Sequence, residues 1–231
     1  YKRQGFVWKQ REHHYLVTNW HVLSMRDFFT SGNLRKDAGR PNRLRTHFNI
    51  QTGSFAKERR DIAIRDSDDR PLWFVHPKKR VDVAVLPLST GLEGVALYPL
   101  NDLANTPLRI KIGLEVFILG YPFEIKLPAY PVWKRGSIAS EPDLVRLVDD
   151  YILVDTASRP GMSGAPVIRQ SRTNHLLETG DVAMTPNTLT KFIGVYSGRL
   201  PTDHPHEAQI GLVWDGSFID EIIVGATKDA D

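Results

Sequence analysis

Cysteine is absent from the 231 residues of this chain. No disulfide can staple it, and no thiol can act as nucleophile or metal ligand. Secreted animal proteins of this size usually carry disulfides, so the absence fits a bacterial or intracellular setting, with bacterial cytoplasm ahead of periplasm. No apolar run approaches the roughly 20 residues of a membrane span, and no signal peptide is visible. No cysteine–histidine cluster has metal-ligand spacing, so neither metal nor cofactor is expected. His13, His14, His204 and His206 read as surface residues. Neither sign of charge dominates: 30 Lys and Arg face 27 Asp and Glu, for a net charge of +3. That balance does not demand a nucleic-acid partner. The chain opens abruptly at Tyr1-Lys2-Arg3, which leaves room for a regulatory domain or partner outside this stretch.

What is present is a globular composition. Hydrophobic residues make up 41% and aromatics 10%, enough for a real core in one large domain or two packed lobes. Short runs rich in β-branched and aromatic residues recur along the chain, among them Phe6-Val7-Trp8, Tyr15 to Thr18, Phe48 to Ile50, Leu72 to Val75 and Val83 to Leu86. Val116 to Leu119, Tyr151 to Val154, Pro166 to Ile168, Phe192 to Tyr196 and Ile210 to Trp214 continue the series. Turn residues separate them at Gly53-Ser54, Gly91, Gly94, Gly120-Tyr121-Pro122, Gly136 and Asn187. This pattern predicts an all-β barrel or sandwich. Two helices are expected. A short one follows Asn19, and a terminal one is capped by Ser217, with Phe218, Ile219, Ile222 and Ile223 at helical spacing. Residues 26–45 read as a basic insertion loop, and 169–191 as a polar loop or hairpin, both as solvated surface. No nucleic-acid motif accompanies the basic loop.

Three short motifs carry chemistry. Thr18-Asn19-Trp20-His21 supplies a histidine, Val81 to Leu86 an aspartate, and Gly161-Met162-Ser163-Gly164-Ala165-Pro166 a serine. A serine hydroxyl is a weak nucleophile that needs a nearby base, and the base needs an orienting group. His21 can be the base, since imidazole is the side chain that titrates nearest neutrality. Asp82 can fix its tautomer and stabilise the imidazolium. Gly161 can take backbone angles closed to other residues, letting the N–H groups of Gly161, Met162 and Ser163 form an oxyanion hole. Each motif alone is usually a turn, a structural histidine or a strand cap; all three in order are far harder to obtain by chance. The order His, Asp, Ser also excludes the α/β-hydrolases, which run Ser, Asp or Glu, then His and alternate strands with long helices.

With those residues in hand, the chain resembles the chymotrypsin-like serine peptidases, in style the disulfide-free bacterial branch that includes the HtrA-type proteases. Tyr15 to Val22 resembles the family's histidine motif, Val81 to Leu86 its aspartate motif and Asp155 to Pro166 its serine motif. Gly113 to Pro122 resembles the first strand of the second barrel, Arg135 to Ser140 its next hairpin, and Phe192 to Trp214 the final strand pair. The resemblance implies an all-β fold of two packed six-stranded antiparallel β-barrels with a C-terminal α-helix. Residues 1–105 would carry His21 and Asp82, and residues 106–231 would carry Ser163. It implies a serine endopeptidase acting through an acyl-enzyme on protein or peptide substrates, with a latent or non-catalytic module as the alternative. It places Ala157 at the base of the S1 pocket, Gly211 on its wall, and Ser197, Gly198 and Arg199 along the substrate-binding edge. No carboxylate lies at that base, so a small or medium apolar P1 residue is expected. Digestive members have an acidic residue before the serine, which binds a newly cut N-terminus. Met162 stands there instead, so activation by N-terminal cleavage is not expected.

Overall fold

Alternation of side chains governs the first half of the chain. The computed structural model describes residues 3–50, 56–88, 92–121, 131–148, 150–157, 161–200 and 209–230. In chain order the first elements are β1 (Phe6–Gln10), β2 (His13–Thr18), α1 (Trp20–Ser24), β3 (Arg43–Asn49), β4 (Lys57–Ala63), β5 (Phe74–Val75), β6 (Ala84–Pro87) and α2 (Leu100–Leu103). Ala84 and Leu86 pack into a cluster with Leu16, Leu23, Ile64 and Trp73 inside this half. Val83 and Val85 point the opposite way, as a two-residue period requires, into a second cluster shared with the rest of the molecule.

The second half adds β7 (Glu115–Gly120), β8 (Val132–Ile138), α3 (Pro142–Val148), β9 (Tyr151–Asp155), β10 (Ala165–Leu176), β11 (Val182–Arg199), β12 (Ile210–Asp215), α4 (Ser217–Gly225) and β13 (Thr227–Lys228). Strands β10, β11, β12, β9, β8 and β7 close on themselves as a six-stranded ring. Val116, Ile118, Ile138, Val154 and Val167 fill its interior. Its outer face offers Ile168, Phe192, Val195 and Trp214 to the shared cluster, where Phe218, Ile219, Ile222 and Ile223 of α4 also lie. One apolar cluster therefore welds the halves together.

Among the described residues the first half does not show the expected six-stranded barrel. It is an open five-stranded sheet in the order β1-β2-β6-β5-β13, with β3 and β4 as a separate two-stranded ribbon. One edge is covered: the Asn101 side chain of α2 accepts from the Lys9 N–H at 3.0 Å and donates to its carbonyl at 2.7 Å. The other edge, β13, comes from the far end of the chain and pairs with β5. Just beyond it, one carboxylate oxygen of Asp229 accepts the indole N–H of Trp20 at 2.7 Å and of Trp73 at 3.0 Å.

Smaller expectations sort similarly. Residues 169–191 form the outer part of a long β10–β11 hairpin. Gly216, not Ser217, is the cap residue of α4, and the Asp215 carboxylate takes the Ser217 N–H at 2.9 Å. The expected insertion loop ends in β3, and its start is a tight turn in which Asp27 accepts from the Phe29 and Thr30 N–H groups. Gly53-Ser54, Gly91, Pro122, Ser158 to Pro160, His204 and His206 lie outside the described residues. No helix among the described residues is long and apolar enough to cross a membrane.

Candidate active site

β2 runs antiparallel to β6, which brings the residues following one strand beside those preceding the other. That geometry sets α1 against Asp82. Asp82 is fully buried, and its carboxylate is surrounded by donors. The backbone N–H of His21 reaches Oδ1 at 2.9 Å, and His21 Nδ1 lies 2.7 Å from Oδ2. An ionised carboxylate only accepts, so Nδ1 carries the proton of the neutral imidazole, the tautomer whose lone pair is on Nε2. Ser197 Oγ donates to the same Oδ2. Asn19 occupies the cap position of α1 without capping it. Its amide reaches across instead, donating to the Asp82 carbonyl at 2.6 Å.

Ser163 sits in a turn that only glycines permit. Gly161 has φ +95° and Gly164 φ +84°, a region L side chains avoid. A Cβ on Gly164 would stand 2.1 Å from the Gln4 carbonyl and 2.5 Å from Thr18 Oγ1. The turn is pinned by Ala165 N–H to the Met162 carbonyl at 3.0 Å, Gly164 N–H to Tyr196 at 2.9 Å, and Gln4 N–H to the Ser163 carbonyl at 2.9 Å. The Gln4 amide also donates to the Gly161 carbonyl at 2.8 Å and the Tyr121 carbonyl at 3.3 Å. Among the described residues, the backbone N–H groups of Gly161, Met162 and Ser163 have no protein acceptor. Three consecutive bare donors beside a serine hydroxyl are the raw material of an oxyanion site. Met162 is buried in the core of the ring.

Ser197 joins the two halves of the site. The β11–β12 pairing runs Tyr196 with Val213 and then Gly198 with Leu212, so Ser197 is the extra residue of a β-bulge. A bulge re-aims the residue it leaves unpaired. Here the Ser197 hydroxyl turns to Asp82, while its carbonyl accepts from Ser163 Oγ at 3.2 Å. At 3.2 Å this is a long O–H···O contact, and among the described residues no hydrogen bond links Ser163 to His21. Gly198 has φ +133°, and a Cβ on it would face Ser163 Oγ at 3.9 Å.

The remaining expected residues are spread around this centre. Gly211 is buried and lies under Tyr196: a Cβ there would meet the ring carbon Cε2 at 2.4 Å. Arg199 continues the edge and pairs with Gly211. Ala157 is exposed and lines a depression of about 430 Å³ with Glu115, Lys134, Arg135 and Asp155. Sequence reasoning assigned Ser197 only to the substrate edge and passed over Gln4 and Asn19. Asn19 lies within the histidine motif, but nothing local marks Gln4, whose side-chain amide finds its partners more than 100 positions away.

The comparisons with known proteins follow from this geometry. The trypsin-like peptidase domain matches residues 4–176. No curated protein matches the sequence. Among solved structures, the chain is similar to Rv3671c from M. tuberculosis H37Rv in the inactive form of a serine-to-alanine mutant. Identity is 16% over 99% of this chain and 84% of that one, with a TM-score of 0.44. It is also similar to the inactive form of the Rv3671c protease, at 17% identity over 96% of this chain and 82% of that one, with a TM-score of 0.43.

Proposed function

This chain belongs to the trypsin-like peptidase family, and from that premise we propose that it is a serine endopeptidase working through His21, Asp82 and Ser163. The observation that carries the reading is the buried Asp82 carboxylate, which holds His21 by both its backbone and its ring and leaves Nε2 as a base. Substrate backbone laid along Ser197 to Arg199 competes for the Ser197 carbonyl and turns the Ser163 hydroxyl toward His21. His21 then takes the proton as Oγ attacks the scissile carbonyl. The oxyanion gathers the N–H groups of Gly161 and Ser163, each such donor worth roughly 3–4 kcal/mol. His21 returns the proton to the leaving amine, and water, activated in the same way, hydrolyses the acyl-enzyme. Residues 1–105 and 106–231 serve as two halves of one catalytic unit. With Ala157 in place of a carboxylate, cleavage follows small or medium apolar residues; a peptide library showing strong preference for Arg or Lys at P1 would sink that part.

A second reading has its own support. Because the Ser163 hydroxyl contacts the Ser197 carbonyl and, among the described residues, not His21, the chain also fits a latent peptidase that a partner or fused domain switches on. A fluorophosphonate probe with intact-mass readout separates the two. One adduct on the wild type and none on Ser163→Ala is the expected result for the active enzyme. No adduct on folded wild type, with labelling restored by a longer protein, assigns latency.

A further inference from the structure

Charge is unevenly spread in this molecule. Residues 26–63 hold nine Lys and Arg against four Asp and Glu, a local balance of +5, while the remainder sums to −2. Much of the excess lies on one element, the β3–β4 ribbon. Its inner face, with Leu44 and Ile62, packs against the core of the first half, and Phe48 is buried. Strand alternation therefore commits the other face to water. That outer face pairs Arg43 with Ala63, Arg45 with Asp61, His47 with Arg59 and Asn49 with Lys57. Asp61 is its only carboxylate, and Arg45 already holds it through two hydrogen bonds of 2.9 and 3.0 Å. Among the described residues, Arg43, Lys57 and Arg59 make no direct ion pair with a carboxylate, although the charges of Arg43 and Arg59 act on Asp61 from a distance.

The ribbon is continuous with the candidate active site. Lys57 Nζ stands 5.8 Å from the Tyr121 ring centroid. The Tyr121 carbonyl accepts from Gln4, whose amide also holds Gly161, two residues before the nucleophile. Ser197 to Arg199 contact Ser163 through the Ser197 carbonyl and Gly198. Lys57 is thereby linked through Tyr121 and Gln4 to Gly161, on the side of Ser163 away from the Ser197 to Arg199 edge, where a leaving half of the substrate chain would exit. Resting on the peptidase reading, we propose that the outer face of β3–β4 docks an acidic polypeptide segment on the C-terminal side of the scissile bond.

Two features favour a peptide over a nucleic acid. The outer face has no Phe, Tyr or Trp on which bases would stack. An extended peptide, by contrast, presents every second side chain at a spacing of about 6.8 Å, the same spacing that separates Lys57 from Arg59 along β4. Alternate carboxylates then meet the two cations in register.

The test uses peptides that share one cleavable core and differ only in the tail after the bond: acidic, neutral, or truncated. The acidic tail is expected to raise kcat/KM about tenfold over the neutral one at low salt, mostly through KM, with the gain shrinking to about twofold or less near 0.5 M salt. The Lys57→Glu, Arg59→Glu double variant should lose this preference while cleaving the truncated peptide and reacting with fluorophosphonate at the wild-type rate. Lys57→Arg, Arg59→Lys should keep it. Equal rates for acidic and neutral tails on the wild type, or a preference that survives the double charge reversal, overturns the proposal. A separate binding arm measures fluorescence anisotropy of the same tails on Ser163→Ala, alongside a single-stranded oligothymidylate of equal charge. Selective binding of the acidic tail, lost in the charge-reversed version, supports docking even where no peptide is cut, so the peptidase reading can fail by itself. Tighter binding of the oligothymidylate reassigns the face and overturns the proposal.

Discussion

In the C-terminal half every strand of the ring has a bonded neighbour on both sides, whereas in the N-terminal half the sheet is open and its edges are closed by borrowed parts. The ring carries Ser163 and bonds its turn from within, Gly164 and Ala165 to Tyr196 and Met162, with Gln4 of the other half as one further pin on the Ser163 and Gly161 carbonyls. His21 is held differently. Its ring depends on Asp82, its neighbour Trp20 on Asp229, and the sheet beneath it on β13. Aromatic contacts across the seam, such as Phe28 with Trp214 at 5.2 Å, add to the apolar cluster the halves share. The comparison teaches that Ser163 sits on a closed ring that needs one outside pin, Gln4, while His21 rests on an open sheet completed by residues from the far end of the chain.

The largest test strikes where the halves meet. Asp82→Asn keeps the shape of the site but offers a donor where His21 needs an acceptor. We expect kcat/KM to fall by about 10⁴-fold with unchanged circular dichroism; a loss under tenfold would mean the two halves do not cooperate through this carboxylate. A middle-sized test addresses the borrowed edge. Asp229→Ala leaves the Trp20 and Trp73 indole N–H groups without their acceptor, at a cost of about 1–3 kcal/mol in urea unfolding. Activity should fail at lower urea than the melting of the ring, and coincident transitions would erase the contrast between the halves.

The smallest test concerns the turn after α1. Burial pushes the Asp27 carboxyl up, but hydrogen bonds from Thr30 and Phe29, together with His21 nearby, more than offset it and hold its pKa below the ordinary 3.8. The folded pKa is the lower one, so this contribution is present above the unfolded pKa and is lost as pH falls through the folded value. Asp27→Asn should therefore flatten the acid limb of the stability curve slightly and leave stability above pH 5 less dependent on that carboxylate. An unchanged acid limb would show that the turn does not sense the site beside it.

What could be read from the sequence was whatever is local. The three motifs are local, as are the glycine-bracketed serine turn and the spacing of Phe218, Ile219, Ile222 and Ile223 that marks α4. Residues that act across the fold left no trace. The role of Ser197 arises from a bulge, and a bulge is a property of pairing register rather than composition. The side chains of Gln4 and Asp229 find their partners more than 100 positions away. β4, which reads Lys-Glu-Arg-Arg-Asp-Ile-Ala, lacks the apolar alternation that announces a strand, and its ribbon is one reason the described residues of the first half show no six-stranded barrel. The cap of α4 shifted by one residue because Asp215 reaches forward to the N–H of Ser217.

The return of β13 and Asp229 to the N-terminal sheet also sets a clock. A ribosome that adds about 5–20 residues each second takes roughly 7–30 s to travel from Asp82 to Asp229. Throughout that interval the base and its orienting acid already exist, while the strand and the carboxylate that steady them have yet to be made. Ser163 emerges before that support arrives, so the nascent chain carries all three reactive side chains before it has the frame that aligns them. The stretch around Asp229, translated after all three, brings the N-terminal half a late strut, and the seating of His21 waits on it.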